Sequence, residues 1–259
     1  MDWIVIGTGR LGSALQHWLT NAGTPMRAAV SHAKLAAWLK RLPHEPPAVL
    51  FLAVPDDALP ALARRLAAAR RDWRGWCVLH GSGTRPASVL APLARRSASI
   101  ASLHPMMTLT RRTPSPRKVV FSIEGDPVAA RAARAQIRRW AGQELPLTPQ
   151  AKAAYHLAAT LVGPGAVVNF AAAEAILTHA GLSGPRLRTA RAGLVQLLRA
   201  TAANLEQATA TAWTGPWARG DRTTIALQRQ QMPSEALQKL YDGLTAACKL
   251  VTTGSKKKR

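Results

Sequence analysis

Apolar positions follow two different rhythms along this chain. Before residue 147, short, largely apolar runs alternate with amphipathic stretches: 3–6 then 11–22, 26–30 then 33–39, 49–54 then 58–69. Continuous runs of four to six apolar residues bounded by turn residues predict strands buried on both faces, and the stretches between them predict helices. The order is βαβαβ. Further runs at 77–80, 100–103 and 119–123 extend the sheet. Strands apolar on both sides require helices on both faces, so the expected architecture is an α/β Rossmann N-terminal domain with a mostly parallel sheet. Asp126 is expected to cap a helix beginning at Pro127, which Gly142 ends, and this closes the domain at 1–147.

Beyond Pro149 the rhythm becomes helical throughout. Leu187, Ala190, Leu194, Leu197, Thr201, Leu205 and Ala208 recur at three- and four-residue steps, and Leu237, Leu240, Leu244, Cys248 and Val251 follow Pro233-Ser234 in the same manner. An all-α C-terminal domain over 148–253 is expected, followed by a basic tail at 254–259. Its apolar faces need partners, and pairing with a second copy into a homodimer would supply them.

Composition adds limits. The stretch 153–177 is the most apolar, but His156, Pro164, Asn169 and Glu174 interrupt it, which argues against a membrane span. The first residues, Met-Asp-Trp-Ile-Val-Ile, have no basic segment leading into an export signal. Two cysteines, Cys77 and Cys248, are too few for a disulfide framework and lack metal-ligand spacing, so a reducing, cytoplasmic setting is expected. Lys plus Arg number 35 against 13 Asp plus Glu, a net charge of +22 that invites an anionic partner. The basic residues are scattered as pairs such as Arg64-Arg65, Arg70-Arg71, Arg95-Arg96 and Arg138-Arg139 near expected helix ends, where they complement the helix dipole. That scatter, with only 5% aromatic residues, argues against nucleic acid as the partner.

The sharpest motif is Gly7-Thr8-Gly9-Arg10-Leu11-Gly12, after the first strand and opening the first helix. Gly7 permits the tight turn, Gly9 lets the backbone approach a pyrophosphate, and Gly12 allows close helix–strand packing. The helix N-terminus then offers unpaired N–H groups to anionic oxygens. At the end of the second strand, an NAD-binding fold would carry an acidic residue for the ribose 2′-hydroxyl. This chain carries Ser31, His32 and Lys34 there, with Arg10 nearby, groups suited to a 2′-phosphate; NADP is therefore expected in preference to NAD. Val54-Pro55 at the end of the third strand would line the cofactor, while Asp56 or Asp57 is expected to cap the next helix.

Candidate chemistry gathers at strand ends and at one helix start. His80-Gly81-Ser82-Gly83 and His104-Pro105 end the fourth and fifth strands, placing two imidazoles on the carboxyl edge of the sheet; either could instead be a packing histidine. Ser82 lacks the setting of a hydrolase nucleophile. Lys152, Tyr155 and His156 fall at i, i+3 and i+4, on one face of a helix. A lysine with its pKa lowered by burial could deliver a proton as a hydride arrives, with Tyr155 or His156 orienting the substrate. Arg219, in Thr214-Gly215-Pro216-Trp217-Ala218-Arg219-Gly220-Asp221, could clamp a carboxylate or phosphate, or pair with Asp221 to hold its loop.

Taken in order, GTGRLGSAL from Gly7, AVPDDAL from Ala53, HGSG from His80, SLHPM from Ser102, KAAYH from Lys152 and TGPWARGD from Thr214 resemble the Rossmann-like proteins with a DUF2520 C-terminal half. The resemblance spans nearly the whole chain. It implies an NADP-type Rossmann domain and a helical, often dimer-forming domain, within the wider group of 6-phosphogluconate dehydrogenase, ketopantoate reductase and pyrroline-carboxylate reductase-like proteins. At Gly163-Pro164, where the family carries Ser-Asn, this chain departs from it, and in related dehydrogenases a Lys/Asn pair handles the substrate's oxygen.

The expected activity is an NADP-dependent oxidoreductase moving hydride to or from a small C=O or C=N substrate in the cleft between the domains. Lys152 would donate the proton, His156 and His104 would complete the catalytic set, and His80, Ser82, Tyr155 and Arg219 would hold substrate. The alternative is a dinucleotide-binding sensor without chemistry, acting through a protein partner.

Overall fold

The computed structural model describes residues 2–47, 49–110 and 115–251; the basic tail at 254–259 lies outside the described residues. Its first half alternates strand and helix: β1 (Trp3–Ile6), α1 (Arg10–Asn21), β2 (Met26–Val30), α2 (His32–Leu39), β3 (Val49–Leu52), α3 (Leu59–Ala69), β4 (Cys77–His80), α4 (Ala91–Ala94), β5 (Ser99–Pro105), β6 (Val120–Gly125), α5 (Pro127–Arg139) and β7 (Gln143–Pro146). Seven strands form one sheet in the order β2-β1-β3-β4-β5-β6-β7. All neighbouring pairs are parallel except β5 and β6, where Ser102 faces Glu124 and His104 faces Ser122.

The sheet is apolar on both faces because it carries a core on each. Trp3 and Val5 of β1 enter one cluster with Leu15, Trp18, Phe51, Phe121, Ile137 and Trp140. Ile4 and Ile6 enter the other, with Leu50, Leu59, Leu66, Trp73, Trp76 and Leu90. Alternation along one strand thus feeds two cores, which is why its sequence shows no polar alternation. Aromatic rings tie the first cluster together: Trp140 lies 5.7 Å from Trp18 and 5.3 Å from Phe121, ring centre to ring centre.

Two local expectations need correction. Asp126 stands at the N-cap of α5 but makes no cap bond; its carboxylate accepts the Ile100 N–H at 2.8 Å, tying α5 to β5. Asp56 does not cap α3 either, since Pro55 precedes a single 3₁₀ turn over Asp56–Ala58 and the Asp56 carboxylate is bonded elsewhere. The strand β7 is an addition to the reading above. Its Gln-Glu-Leu-Pro carries no β-branched residue and lies mostly exposed at the sheet edge, so neither composition nor period marks it.

The helical half comprises α6 (Ala151–His179), α7 (Gly184–Gln207), α8 (Thr209–Ala212), α9 (Gly215–Arg219), α10 (Arg222–Gln230) and α11 (Glu235–Ala247). Ser234 caps α11 by accepting the Leu237 N–H at 3.3 Å. By internal packing the chain divides into Met1–Gly163 and Pro164–Arg259, so the division falls inside α6, at Pro164. At 29 residues, with a mean hydropathy of 1.5 over an 18-residue stretch, α6 is the one helix among the described residues long and apolar enough to cross a membrane. Its first turns, however, belong to the sheet unit, where Lys152 and Tyr155 bond to sheet residues.

Candidate active site

The sheet order reverses between β1 and β3, and the crevice outside their carboxyl ends is where open α/β sheets bind ligands. Gly7 to Gly12 occupy that point. Gly7 has φ +110°, and a Cβ there would lie 2.1 Å from the Ala53 carbonyl oxygen. A Cβ on Gly12 would lie 2.0 Å from the Gly7 oxygen, so both positions exclude any side chain. Gly9 is different. Nothing lies within 4 Å of a Cβ built on it, and it caps α1 with no side chain to occupy the helix's first N–H groups. Two glycines close the turn against the sheet while the third leaves open space before a helix N-terminus, as a bound pyrophosphate requires.

The flanking groups fit a phosphorylated dinucleotide. Thr8, Gly9 and Arg10 are exposed, and Leu11 is half-buried, its side chain packing over Gly81 at the end of β4. Ser31 stands at the N-cap of α2 at the end of β2 without a side-chain cap bond, and His32 and Lys34 are exposed in the first turn. Val54 is half-buried and Pro55 exposed at the end of β3. The groups singled out for the cofactor therefore line the carboxyl ends of β1, β2 and β3, adjacent strands in the sheet.

Next along the same edge lies a buried polar cluster. Lys152 is fully buried, at 0% exposure, and its Nζ donates to Ser102 Oγ at 2.6 Å and to the Ser82 carbonyl at 3.1 Å. Ser102 Oγ donates in turn to the Ser82 carbonyl at 3.2 Å. Burial pulls the Lys152 ammonium down to about 8, against the opposing fields of Glu124 and Asp56. Glu124, 8% exposed, accepts the Ala87 N–H at 2.6 Å. Ser82 shapes its own turn: its hydroxyl donates to Asp56 Oδ2 at 2.7 Å and accepts the N–H groups of Thr84 and Arg85 at 3.2 and 2.8 Å.

His80 and His104 have different surroundings. His80 is fully buried; its Nδ1 accepts the Ser82 N–H at 3.2 Å, which places the proton on Nε2, 3.3 Å from the Pro86 carbonyl. Burial, with Lys152 nearby, lowers its pKa to about 3, so it is neutral and committed to the backbone. His104 is only half-buried, and its Nδ1 shares a 3.0 Å hydrogen bond with Tyr155 Oη. Burial first, then the fields of His156 and Lys152, lower His104 to about 4. Its ring stands edge-on to His156 at 5.4 Å.

Gly83 is what lets the two imidazoles approach. A Cβ there would lie 2.4 Å from His156 Nδ1 and 3.0 Å from His104 Nε2, so both ring nitrogens converge on this glycine. His156 Nδ1 is buried without a hydrogen-bond partner among the described residues. Lys152, Tyr155, His156, His104, His80 and Ser82 therefore meet at one place. Arg219 belongs to the helical unit, where it ends α9 and lies exposed; Asp221 beside it caps α10, accepting Thr224 N–H and Oγ1–H at 3.0 and 2.7 Å.

Sequence reasoning missed Ser102, Glu124 and Gly83. Ser102 precedes His104 by two, the strand period that places both on one face, so it could have been read. Glu124 could not, because its position opposite Ser102 depends on the antiparallel register of β5 and β6.

Comparisons with known proteins agree with this architecture. Residues 2–105 match a Rossmann-like domain, and residues 119–248 match the domain of unknown function DUF2520. No curated protein matches the chain. Among solved structures, protein TM1727 of Thermotoga maritima is 21% identical with a TM-score of 0.72, over 98% of this chain and 99% of its own. BF3122 of Bacteroides fragilis, provisionally assigned as an NADP oxidoreductase, is 18% identical with a TM-score of 0.76, over 95% and 97%. A reductive aminase from Aspergillus terreus, in complex with NADPH4, cyclohexanone and allyl amine, is 18% identical with a TM-score of 0.61, over 95% and 92%. At these identities the likeness is one of fold, and it extends over both halves of the chain. With its glycine-loop sheet domain and its helical half both matched, the chain belongs to the family of Rossmann-like proteins that carry a DUF2520 domain.

Proposed function

We propose that this protein is an NADP-dependent oxidoreductase acting on a small C=O or C=N substrate. The observation that carries the reading is the juxtaposition on one sheet edge of an open glycine loop and a cluster of titratable groups around Gly83. Gly7, Gly9 and Gly12 with the start of α1 would hold the pyrophosphate, and Arg10, His32 and Lys34 with Ser31 the 2′-phosphate. When bound, the nicotinamide supplies or accepts a hydride. The Aspergillus enzyme of the same fold, complexed with NADPH4, supports that choice of cofactor.

The residues of this chain would handle the accompanying proton. Lys152 is fully buried, so its ammonium does not reach substrate and acts through others. His104 is the half-buried, neutral member. In its Nε2–H form it donates to the substrate oxygen or nitrogen, while Tyr155 Oη–H supplies Nδ1. The Lys152 charge, which already opposes a positive charge on His104, favours the proton leaving the ring. Lys152 is thus a positioning residue that also holds the Ser82 and Ser102 segments together.

The apolar side chains of the helical half support a homodimer. Leu161, Val162, Val167 and Val168 of α6 and Leu197 of α7 are 67, 78, 68, 58 and 65% exposed in the single chain. A second copy covering them is the arrangement we propose.

The test is calorimetric binding of NADPH and NADH, followed by a carbonyl and imine substrate screen. NADPH should bind more tightly than NADH, and Arg10→Ala with Lys34→Ala should erase that preference. Tyr155→Phe should lower kcat while sparing cofactor affinity. Failure to bind either nucleotide would sink the oxidoreductase reading.

A further inference from the structure

The amino edge of the sheet, opposite the glycine loop, carries a feature that the oxidoreductase reading leaves unused. A hollow of about 400 Å³ is lined by Arg71, Asp72, Arg74, Arg95, Arg96 and Ser97. These residues lie in two loops, one leading into β4 and one into β5, which are parallel neighbours. No apolar side chain lines the hollow, so its occupant is recognised by charge alone.

Charge balance decides what it holds. Four arginines line it. Asp72 is the one acid in the lining, and it is already paired with Arg74 at 2.7 Å. The carboxyl ends of α3 and of the single-turn α4 point this way, each worth at most about half a negative charge. That leaves about two positive charges uncompensated, the match of a phosphoryl group, which carries about −1.5 to −2 at neutral pH. Helix-end complementation, which accounts for single basic pairs elsewhere, is too small to explain four arginines here.

The cradle is also held in shape. The Trp73 N–H donates to the Arg96 carbonyl at 2.7 Å, and Arg96 Nη1 donates to the Arg71 carbonyl at 3.4 Å, binding one loop to the other. Arg70 does not face the hollow's chemistry; its guanidinium is spent on the carbonyls of Asp72, Pro43 and His44 at 2.7, 3.0 and 3.1 Å and lies over the Trp76 ring. Trp73 and Trp76, both fully buried, pack ring to ring beneath the loop. Ser97 adopts φ +71°, a left-handed conformation uncommon for a non-glycine residue, where the second loop turns sharply after Arg95 and Arg96. The loops that carry the arginines are thus set in advance, and an arginine guanidinium meets phosphate oxygens bidentately.

We propose that this hollow is a second anion site, specific for the phosphoryl or pyrophosphoryl group of a small molecule and separate from the cofactor loop. Inorganic pyrophosphate is the probe. Calorimetric titrations would compare wild type, Arg95→Ala/Arg96→Ala, Arg95→Lys/Arg96→Lys and Arg10→Ala/Lys34→Ala at two salt concentrations.

Pyrophosphate affinity should fall by at least about tenfold in the alanine pair and by less in the lysine pair, which keeps the charge but loses the fork. It should persist in the Arg10/Lys34 pair, and NADPH affinity should be unchanged by the Arg95/Arg96 changes. These arginines are exposed, so the variants should fold, and denaturant unfolding checks that they do. Wild-type affinity in the alanine pair overturns the site, as does loss confined to the Arg10/Lys34 pair. A short DNA duplex that binds more tightly than pyrophosphate, and is lost in the alanine pair, overturns it in favour of a nucleic-acid surface. Because the cofactor reading is scored by the Arg10/Lys34 pair alone, the two can fail separately.

Discussion

The sheet unit and the helical unit solve the problem of burial in opposite ways. In the first, every residue of β1, β3 and β4 is buried and the two faces of the sheet each close a core. In the second, among the described residues from 164 to 251, none is buried. Both halves are rich in apolar side chains, so the difference lies in geometry. A twisted sheet with helices on both sides encloses space within one chain, whereas helices bearing an apolar stripe enclose it only when another surface meets the stripe. Chemistry follows the same division. A lysine can be stripped of water only where a core already exists, and the three most strongly perturbed groups, Lys152, His80 and His104, all sit in the sheet unit.

The contrast is sharpest under truncation. Phe51→Ala, in the fully buried β3, should cost about 3–5 kcal/mol in denaturant unfolding. Leu197→Ala, 65% exposed on α7, should cost no more than about 0.5 kcal/mol in the isolated chain. Should its cost rise with protein concentration, or Leu161→Asp halve the mass in solution, the second copy is what covers the stripe. Equal costs for Phe51 and Leu197 in a monomer would break the comparison.

The next effect concerns pH. Lys152 is held at about 8, below its usual 10.5, so the folded state binds fewer protons than the unfolded state between those values. Stability should therefore rise as pH climbs from 8 to 10.5, by roughly 3 kcal/mol from this residue, and fall again as pH returns through 8. Lys152→Met should remove that rise, read as the difference between urea midpoints at the two ends of the window. On the acid side, His80 and His104, at about 3 and 4 instead of 6.5, should make stability fall as pH drops from 6.5 through those values.

Smaller in free energy, but sharper in function, is Gly83→Ala. The added methyl would meet two imidazole nitrogens at 2.4 and 3.0 Å, so turnover should fall on the order of a hundredfold, with cofactor affinity preserved. Unchanged turnover would remove His104 and His156 from the chemistry. The smallest expected effect returns to the helical unit. Asp221→Ala should cost about 1 kcal/mol through the lost α10 cap, measured by thermal unfolding, with little change in turnover.

Much of this was legible in the residues. The strands β1 and β4 stand where apolar runs placed them, because strands buried on both faces need apolar residues at nearly every position. The glycine loop was legible because a tight turn, an open approach and a close packing contact each demand the absence of a side chain. The cluster of Lys152, Tyr155 and His156 was legible as a helix face. The edge strand β7 was not, since an exposed strand leaves composition unconstrained.

The sequence by itself determined local matters: which segments are strand or helix, where the glycine loop begins, and which residue types could move a proton. Only tertiary structure decided what those residues are free to do. His80 and His104 end neighbouring parallel strands, yet the fold closes His80 onto backbone and leaves His104 half open beside Tyr155. Lys152 reads as one member of a helix face, and the sheet then buries it against Ser102 and the Ser82 carbonyl. The reason is physical: reactivity depends on water, neighbouring charge and hydrogen-bond partners, and these come from residues distant along the chain.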